Sequence, residues 1–400
     1  MKKKTTRKML RKIVTPTFVK AIILLFPITF LIVYKAARGD LTLETFVSID
    51  TFSAIILAFL CQIIADKITK GFERQNEDSL KLTEDHQTIV KKYERSNLLH
   101  FESKAFPAIC LALRNCSDRP FQLVFDDSAF NKKYQLPSQI AQNSDTLMQA
   151  HKHSSVYNQL NIRLDNLKQI DNRIVLSYSQ TTYYDSLITN RAMDYCWNNG
   201  KTIREIYEPG PFISDLENSK FSNHLGFNGF LETSDGKIVF VKRGQKLSVG
   251  KNTWSPSVAA SLKAKYALDE NQKFDKQGLS EAIKKEITDE LYIEFDQDTD
   301  LSESIFAFYR DLVEGGKPQF LFYYKLNNYT FNEFQANFYA KYKKKNNVVD
   351  GTKFIGLSID ECRNSELTCS GILHKNNFYK MTASSASSLA MLFKHLELSK

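Results

Sequence analysis

The stretch Glu281-Ala-Ile-Lys-Lys-Glu-Ile-Thr-Asp-Glu-Leu-Tyr-Ile293 predicts a helix that carries three carboxylates on one face. At about 100° per residue, Glu286, Asp289 and Glu290 fall within roughly a third of the helix circumference. The adjoining positions form an apolar stripe: Ile283, Ile287 and Leu291. Like charges this close repel each other, and a hard cation with oxygen ligands, such as Mg²⁺, would turn that repulsion into binding. The three acids are therefore candidate catalytic and metal-binding residues, although a solvated helix over a core stripe is the simpler interpretation.

The flanking segments predict a sheet that packs against this helix. Residues 225–243 alternate apolar and polar positions around Asp235-Gly236, the strongest short signal for a β-hairpin. Trp254-Ser-Pro-Ser-Val258 follows as a second strand segment, and Gly316-Lys-Pro-Gln-Phe-Leu-Phe-Tyr-Tyr-Lys325 as a later one. In order and spacing, these segments favour strands on both sides of the acidic helix along the chain.

The helix and its flanks together resemble the Nudix family, whose box reads Arg-Glu-apolar-x-Glu-Glu-x-Gly-apolar. Four positions match the box: Glu286, Ile287, Glu290 and Ile293. Five positions depart from it: Lys285 for Arg, Asp289 for Glu, Tyr292 for Gly, and Asn271 and Gln277 where the opening Gly and Glu would fall. The resemblance implies a mixed sheet in an α/β/α sandwich.

The same resemblance implies two functions for the predicted site. One is a Mg²⁺-dependent hydrolase of nucleoside diphosphate derivatives, with Lys242, Arg243 and Lys285 binding the ligand's phosphates. The other is a sensor that keeps the pocket but has weakened catalysis, which the departures from the box favour. Among these, Tyr292 replaces the glycine that leaves the helix, so we expect the helix to end differently.

Two apolar runs at the amino-terminal end predict a pair of transmembrane helices. Thr17 to Tyr34 and Phe46 to Ala65 are each long enough to cross a hydrocarbon core of about 30 Å. The residues before the first run include seven basic side chains and no acid, so both termini are predicted to face the cytoplasm. A cleavable signal peptide is the alternative for the first run, but no small-residue cleavage site follows it.

This architecture is similar to that of the two-transmembrane Nudix effectors of bacterial cyclic-oligonucleotide (CBASS) anti-phage systems. The resemblance implies a nucleotidyltransferase as functional partner, a cyclic nucleotide as ligand, homo-oligomers, and disruption of the bacterial inner membrane by the two spans. The sensor-effector is the preferred interpretation, and a membrane-tethered hydrolase is the alternative. Activity as an enzyme remains open in both.

Charge and cysteine usage exclude other classes of function. The seven basic residues near the start account for most of the net charge of +9, so a broad nucleic-acid-binding face is not predicted. The six cysteines show no Cys-x-x-Cys pair, which predicts neither a disulfide framework nor a zinc site.

The fold class predicted is α+β, divided into an N-terminal two-helix transmembrane hairpin with its basic tail (1–66), a helical stalk (67–104), a small α/β region (105–215), a Nudix-like domain (216–375) and a C-terminal helix (376–400). Three questions stay open. The stalk is a lone helix or a coiled coil. The hydroxyl-rich residues 177–190 line a pocket or cap a helix. The loop 263–277 contacts the ligand or is a disordered insertion.

Overall fold

The computed structural model describes residues 37–38, 60, 62–67, 86–151, 157–244, 247, 250–345 and 349–398. Contacts divide the chain into two compact units, residues 1–79 and 80–400. All of the elements labelled below belong to the second unit.

Most of the helices are short, and the three longest flank the main sheet. In chain order they are α1 (His86–Lys92), α2 (Ser138–Ala141), α3 (Ser144–Met148), α4 (Tyr183–Ile188), α5 (Ile203–Tyr207), α6 (Ala264–Ala267), α7 (Lys276–Leu291), α8 (Phe331–Lys345), α9 (Ile359–Arg363) and α10 (Ala383–His395).

The strands form one large sheet and three small ones. In chain order they are β1 (Leu99–Phe101), β2 (Lys104–Phe106), β3 (Ala108–Leu113), β4 (Gln122–Asp126), β5 (Leu160–Ile170), β6 (Arg173–Thr182), β7 (Gly226–Thr233), β8 (Lys237–Arg243), β9 (Trp254–Ser255), β10 (Val258–Ser261), β11 (Ile305–Asp311), β12 (Lys317–Leu326), β13 (Gly351–Ser358), β14 (Glu366–Thr368), β15 (Gly371–His374) and β16 (Asn377–Lys380).

The main sheet has eight strands in the order β13-β8-β7-β12-β11-β3, with β10 also paired to β7 and β9 to β8. Strands β7 and β12 run parallel, whereas their other neighbours are antiparallel, so the sheet is mixed. The small sheets are β1-β2, β14-β15-β16 and β4-β6-β5. The chain is thus an α+β protein with several sheets.

The predicted hairpin forms β7 and β8. Gly236 takes a positive φ of 74° at the turn, a conformation that glycine adopts without steric cost. The Gly236 amide donates to the Thr233 carbonyl at 2.8 Å, and the Thr233 hydroxyl bonds the Asp235 carboxylate at 2.6 Å. The two-residue turn therefore closes between strands whose apolar residues are buried on both faces of the sheet.

Helices cover both faces of the main sheet. Phe227 and Val239 point to a first core that also contains the apolar residues of α7 and α8. Phe230 and Phe240 point to a second core, which they share with α10. This alternation is what a strand buried on both faces requires, because successive side chains point in opposite directions. The result is three layers, with the sheet in the middle.

Helix α7 begins and ends at well-defined caps. The Asp275 side chain accepts a hydrogen bond from the Gly278 amide at 2.9 Å, which satisfies one of the free donors of the first turn. Its predicted apolar stripe is fully buried: Ile283, Ile287 and Leu291. Burial of each such side chain stabilises the fold by roughly 2 kcal/mol.

The region between residues 105 and 215 contributes to more than one layer. Strand β3 pairs with β11 and so extends the main sheet at one edge. Strands β4, β5 and β6 form their own sheet, whose apolar residues belong to the first core. The region is therefore packed against the main sheet over a shared core.

The predicted N-terminal transmembrane hairpin is corrected by the structure. Among the residues that the structure describes, no helix has the length and apolar character to cross a bilayer. A span needs about 20 apolar helical residues, and the described helical residues 62–67 include Asp66 and Lys67. The remainder of the runs 17–34 and 46–65 lies outside the described residues. The predicted two-span inner-membrane location, with both termini cytoplasmic, is wrong by the same finding.

The predicted stalk also falls largely outside the described residues. Residues 62–67 and 86–92 are helical, and residues 68–85 are not described. By residue 99 the chain has already entered strand β1. The choice between a lone helix and a coiled coil stays a prediction.

Candidate functional site

The three predicted carboxylates all lie on α7, but they do not converge on one point. Glu286 and Glu290 are one turn apart and both are withdrawn from solvent. Asp289 lies to one side, where its carboxylate pairs with the Lys285 ammonium at 3.0 Å and lies 3.4 Å from the Tyr266 hydroxyl. Both members of the Asp289–Lys285 pair are more than 40% exposed, so this pair contributes little to stability.

Glu286 is held by a buried lysine. The Lys263 ammonium lies 2.5 Å from Glu286 Oε1, and the two side chains are 15% and 4% exposed. Burial raises the pKa of Glu286 while Lys263 opposes that rise. Burial lowers the pKa of Lys263, but the charge of Glu286 more than offsets it, and the net direction is up. The short separation favours a charged ammonium paired with a charged carboxylate.

Glu290 faces a second acidic residue. Its Oε2 accepts a hydrogen bond from the Asp350 backbone amide at 2.5 Å. Burial, and then the negative charge of Asp350, raise the pKa of Glu290 to about 8. The Asp350 carboxylate in turn accepts from Arg243 Nη1 at 2.9 Å. At neutral pH, the Glu290 carboxyl is therefore mostly protonated, while Arg243 pairs with Asp350.

A small cleft opens beside this group. The space that a water-sized sphere can occupy in it is about 10 Å³, which is room for roughly one water molecule. Its lining consists of Val241, Ser255, Ser257, Val258, Ala259, Glu290, Leu291, Asp350 and Gly351. Ligand pockets are roughly 300–1,000 Å³ in volume, so a whole nucleotide needs space beyond this cleft.

The predicted phosphate-binding cations are not brought together. Arg243 lies at the carboxylates, as described above. Lys242, the preceding residue on β8, points to the opposite face of the sheet, where its ammonium lies 5.8 Å from the Trp254 ring centre. Trp254 packs there against Tyr379. Lys285 is half-exposed on α7 and already pairs with Asp289. Of the three cations, only Arg243 adjoins Glu290.

Arg191 approaches the same end of the sheet from the region before β7. Its Nη1 donates to the Tyr183 hydroxyl at 2.8 Å, and its Nε lies 3.6 Å from Glu314 Oε1. Glu314 also pairs with Lys317 at 3.0 Å. The charge of Asp350 also helps to raise the pKa of Arg191, after Tyr183 and Glu314. A network of charged groups thus joins the α7 site to the 105–215 region.

The hydroxyl-rich residues 177–190 cap a helix, one of the two predicted interpretations. The Thr182 hydroxyl accepts from the Asp185 amide at 3.1 Å, and the Asp185 carboxylate accepts from the Thr182 amide at 3.0 Å. This reciprocal pair is a capping box at the start of α4. It orients Tyr183, the first residue of α4, toward Arg191.

The α7 carboxylates do not fit a magnesium site in this arrangement. Their oxygens are the donors that Mg²⁺ prefers. A divalent ion, however, would have to displace Lys263 from Glu286 and remove the proton from Glu290. Within residues 86–151, 157–244, 250–345 and 349–398, no three His, Cys, Asp or Glu side chains are grouped to hold a metal.

Three residues of this site were not predicted from the sequence: Lys263, Asp350 and Arg191. Lys263 opens the loop 263–277, which the sequence analysis selected as a possible ligand contact, and the loop is ordered here. Asp350 directly precedes β13, and Asp-Gly before an apolar alternation is a weak sign of a turn. Arg191 carries no local signal, because its role depends on how the 105–215 region packs.

Comparison with known proteins identifies no family. No protein-family model matches the chain. No curated protein matches it either. A solved structure of the Deinococcus radiodurans protein DR0079 is 16% identical, with a TM-score of 0.21, over 35% of this chain and 70% of that one. A likeness at this level carries no argument about fold or function.

Proposed function

We propose that this chain is a nucleotide sensor built on a Nudix-like domain, with the 105–215 region completing its ligand site. The resemblance of residues 225–325 to that family supports a nucleotide ligand. The proposed ligand is a cyclic nucleotide second messenger made by a partner nucleotidyltransferase. Binding would drive assembly with further copies of the chain in anti-phage defence. Membrane disruption is not part of this proposal, since none of the described helices can span a bilayer.

The Lys263–Glu286 pair is the observation that favours sensing over hydrolysis. An ammonium 2.5 Å from the carboxylate already neutralises the first acid of the box. Removing one partner of a buried ion pair costs about 3–5 kcal/mol, so displacing Lys263 is expensive. The raised pKa of Glu290 removes a second charge at neutral pH. These two effects leave a polar pocket with little net negative charge, which suits an anionic ligand.

Calorimetry of the full chain tests this proposal directly. Cyclic di-AMP, cyclic GMP–AMP and ADP-ribose are titrated separately in Mg²⁺ and in EDTA. We expect a cyclic nucleotide to bind with a Kd that EDTA leaves unchanged, and ADP-ribose to remain uncleaved. Mg²⁺-dependent cleavage of any probe by the parent, abolished by Glu286→Gln, would contradict sensing and establish the hydrolase.

A pair of lysine variants isolates the role of the internal cation. Lys263→Met leaves Glu286 without its partner, so we expect Mg²⁺ to raise the melting temperature of this variant but not that of the parent. Lys265→Met is the matched control, because Lys265 is exposed and lies over the Tyr266 ring rather than on a carboxylate. An equal Mg²⁺ response in the parent and in both variants would refute the idea that Lys263 takes the place of the ion.

A further inference from the structure

A polar face runs along the junction between β5 and the main sheet, next to the Lys263–Glu286 pair. Asn161 of β5 is the bridge partner of Lys263, and Arg163 is that of His224. Directly opposed residues of an antiparallel bridge point to the same side. The residues that alternate with them are buried in the first core: Ile162, Leu225 and Leu262. The polar side chains therefore lie together on the opposite face.

Asn161 is the most unusual member of this face. Its side chain is fully buried, and neither its Oδ1 nor its Nδ2 has a hydrogen-bond partner within the described part of the chain. A buried polar group without a partner costs about 1–3 kcal/mol, and such groups are rare in folded proteins. Both polar atoms of the Asn161 side chain carry this free-energy cost. The side chain is therefore suited to a ligand that supplies one donor and one acceptor.

His224 is a second buried group with an unsatisfied hydrogen-bonding atom. Its Nε2 lies 3.0 Å from the Ser261 hydroxyl, whereas Nδ1 has no hydrogen-bond partner among the described residues. Burial, followed by the charges of Lys317 and Arg191, holds the pKa of His224 well below its usual value. The ring is therefore neutral, and its second nitrogen is available to a ligand either as a donor or as an acceptor.

Aromatic and charged groups flank these two residues. The Tyr183 ring lies 6.1 Å from the His224 ring, and the Arg191 guanidinium lies over the same Tyr183 ring, 5.4 Å from its centre. Arg191 then continues toward Glu314 and Asp350, as described for the α7 site. On this face Lys263 and Arg163 lie opposite Asn161 and His224, and Arg191 lies over the Tyr183 ring. Hydrogen-bonding groups and cations are therefore both present, as recognition of a base edge and a phosphate requires.

We infer that Asn161 and His224 form the base-recognition subsite of the nucleotide site, and that Arg191 lies on its phosphate side. This inference rests on the proposed function and deepens it. An asparagine amide matches the paired donor and acceptor on the edge of a base, whereas ribose and phosphate offer no such pair in one plane. In this structure both Asn161 and His224 are buried, so binding requires the segments that cover them to move.

Two sets of probes separate base recognition from phosphate binding. Calorimetry of the full chain uses cyclic di-AMP, cyclic GMP–AMP and ADP-ribose as probes with a base, and ribose 5-phosphate and pyrophosphate as probes without one. For Asn161→Leu we expect the Kd of the base-containing probe that binds the parent to rise by about tenfold to a hundredfold. Binding of the base-free probes should stay unchanged. His224→Gln should weaken the same probe in the same way.

The melting temperature distinguishes a ligand-binding role of Asn161 from a structural one. Leucine fills a similar volume and removes two unsatisfied polar atoms, so Asn161→Leu should melt at or above the temperature of the parent. Asn161→Ala is the second variant if leucine does not fit. Asn166→Ala is the matched control, because Asn166 lies on the same strand but bonds Glu217 at the surface.

The outcomes distinguish this inference from the proposed function. If the parent binds a nucleotide and both Asn161→Leu and His224→Gln bind it equally well, the base subsite is refuted while sensing stands. If Asn161→Leu melts well below the parent and loses all probes alike, Asn161 is structural and the inference is wrong. If the parent binds none of the base-containing probes, sensing itself fails, and the subsite fails with it.

Discussion

In the contact between Lys263 and Glu286, the Lys263 ammonium supplies a positive charge that balances one of the acids of α7. The ammonium sits 2.5 Å from the carboxylate in a place almost closed to water. Attraction between opposite charges is far stronger in such surroundings than at the surface. A side chain is also always present at its binding partner, whereas a metal ion must be captured from solution. The pair therefore neutralises the start of the acidic face under all conditions in which the chain is folded.

Glu290→Gln tests the electrostatics of the second acid. The pKa of Glu290 is about 8 in the fold against an ordinary value of 4.5, so folding favours the protonated form. Stability is then complete below about pH 4.5 and falls as the pH rises through 8. Glutamine cannot ionise and can still accept the Asp350 amide. We expect the variant to match the parent near pH 5 and to exceed its unfolding free energy by up to about 5 kcal/mol at pH 9, because one pKa unit corresponds to about 1.4 kcal/mol.

Urea denaturation at several pH values measures this gap. Glu270→Gln is the control, because Glu270 is exposed on the loop before α7. That control should track the parent at every pH. A constant difference between Glu290→Gln and the parent from pH 5 to 9 would show that the Glu290 carboxyl keeps an ordinary pKa.

At the scale of the element, the end of α7 departs from what its sequence suggests. A bulky residue in the place of glycine predicts a different helix ending, yet Tyr292 adopts the left-handed conformation itself, with φ at 57°. Its ring is buried and packs 5.4 Å from the Phe338 ring. Its carbonyl accepts from Asn337 and Lys341, both at 3.2 Å. Tertiary packing thus offsets the backbone strain, and Glu290 keeps its place relative to Glu286.

Tyr292→Gly weighs these two effects against each other. Glycine relieves about 1–2 kcal/mol of left-handed strain, whereas loss of a large buried aromatic ring costs about 3–5 kcal/mol. We expect a net loss of roughly 2 kcal/mol, measured by urea denaturation. Gln272→Gly is the matched control, because Gln272 is exposed and has a φ of 62°. A stabilised Tyr292→Gly variant would mean that strain outweighs packing at this cap.

Local sequence patterns predict some parts of α7 and its surroundings but not others. The apolar stripe and the β7–β8 hairpin repeat at periods of 3.6 and 2, so their positions could be read from neighbouring residues alone. Lys263, Asp350 and Arg191 reach α7 from separate segments, and their distances depend on strand register and packing. Lys242 lies away from Glu290 for a related reason, since a single step along β8 moves a side chain to the other face.

At the scale of the whole molecule, the 105–215 region is an integral part of the fold. Strand β3 forms an edge of the main sheet, and β5 meets the sheet at the Asn161–Lys263 bridge. The sequence analysis treated this region as a separate small unit because its own strands and helices are sufficient for one. Separation along the chain carries no information about edge pairing, so the shared sheet was missed.

The boundary of the folded unit predicts which fragment is stable. Contacts place that boundary before residue 80, whereas the sequence analysis placed it before residue 105. Leu99 and Phe101 lie in the second core, where the Phe101 ring packs 5.6 Å from that of Phe393. Ile89 and Tyr93 lie in a further cluster with Ala383.

We expect the fragment 80–400 to unfold cooperatively, and the fragment 105–400 to lose several kcal/mol of unfolding free energy, because the shorter fragment lacks these side chains and exposes their partners. Circular dichroism during heating compares the two fragments with the full chain. If 80–400 melts without cooperativity while the full chain does not, the first unit contributes to the stability of the second, and the boundary at residue 80 is wrong.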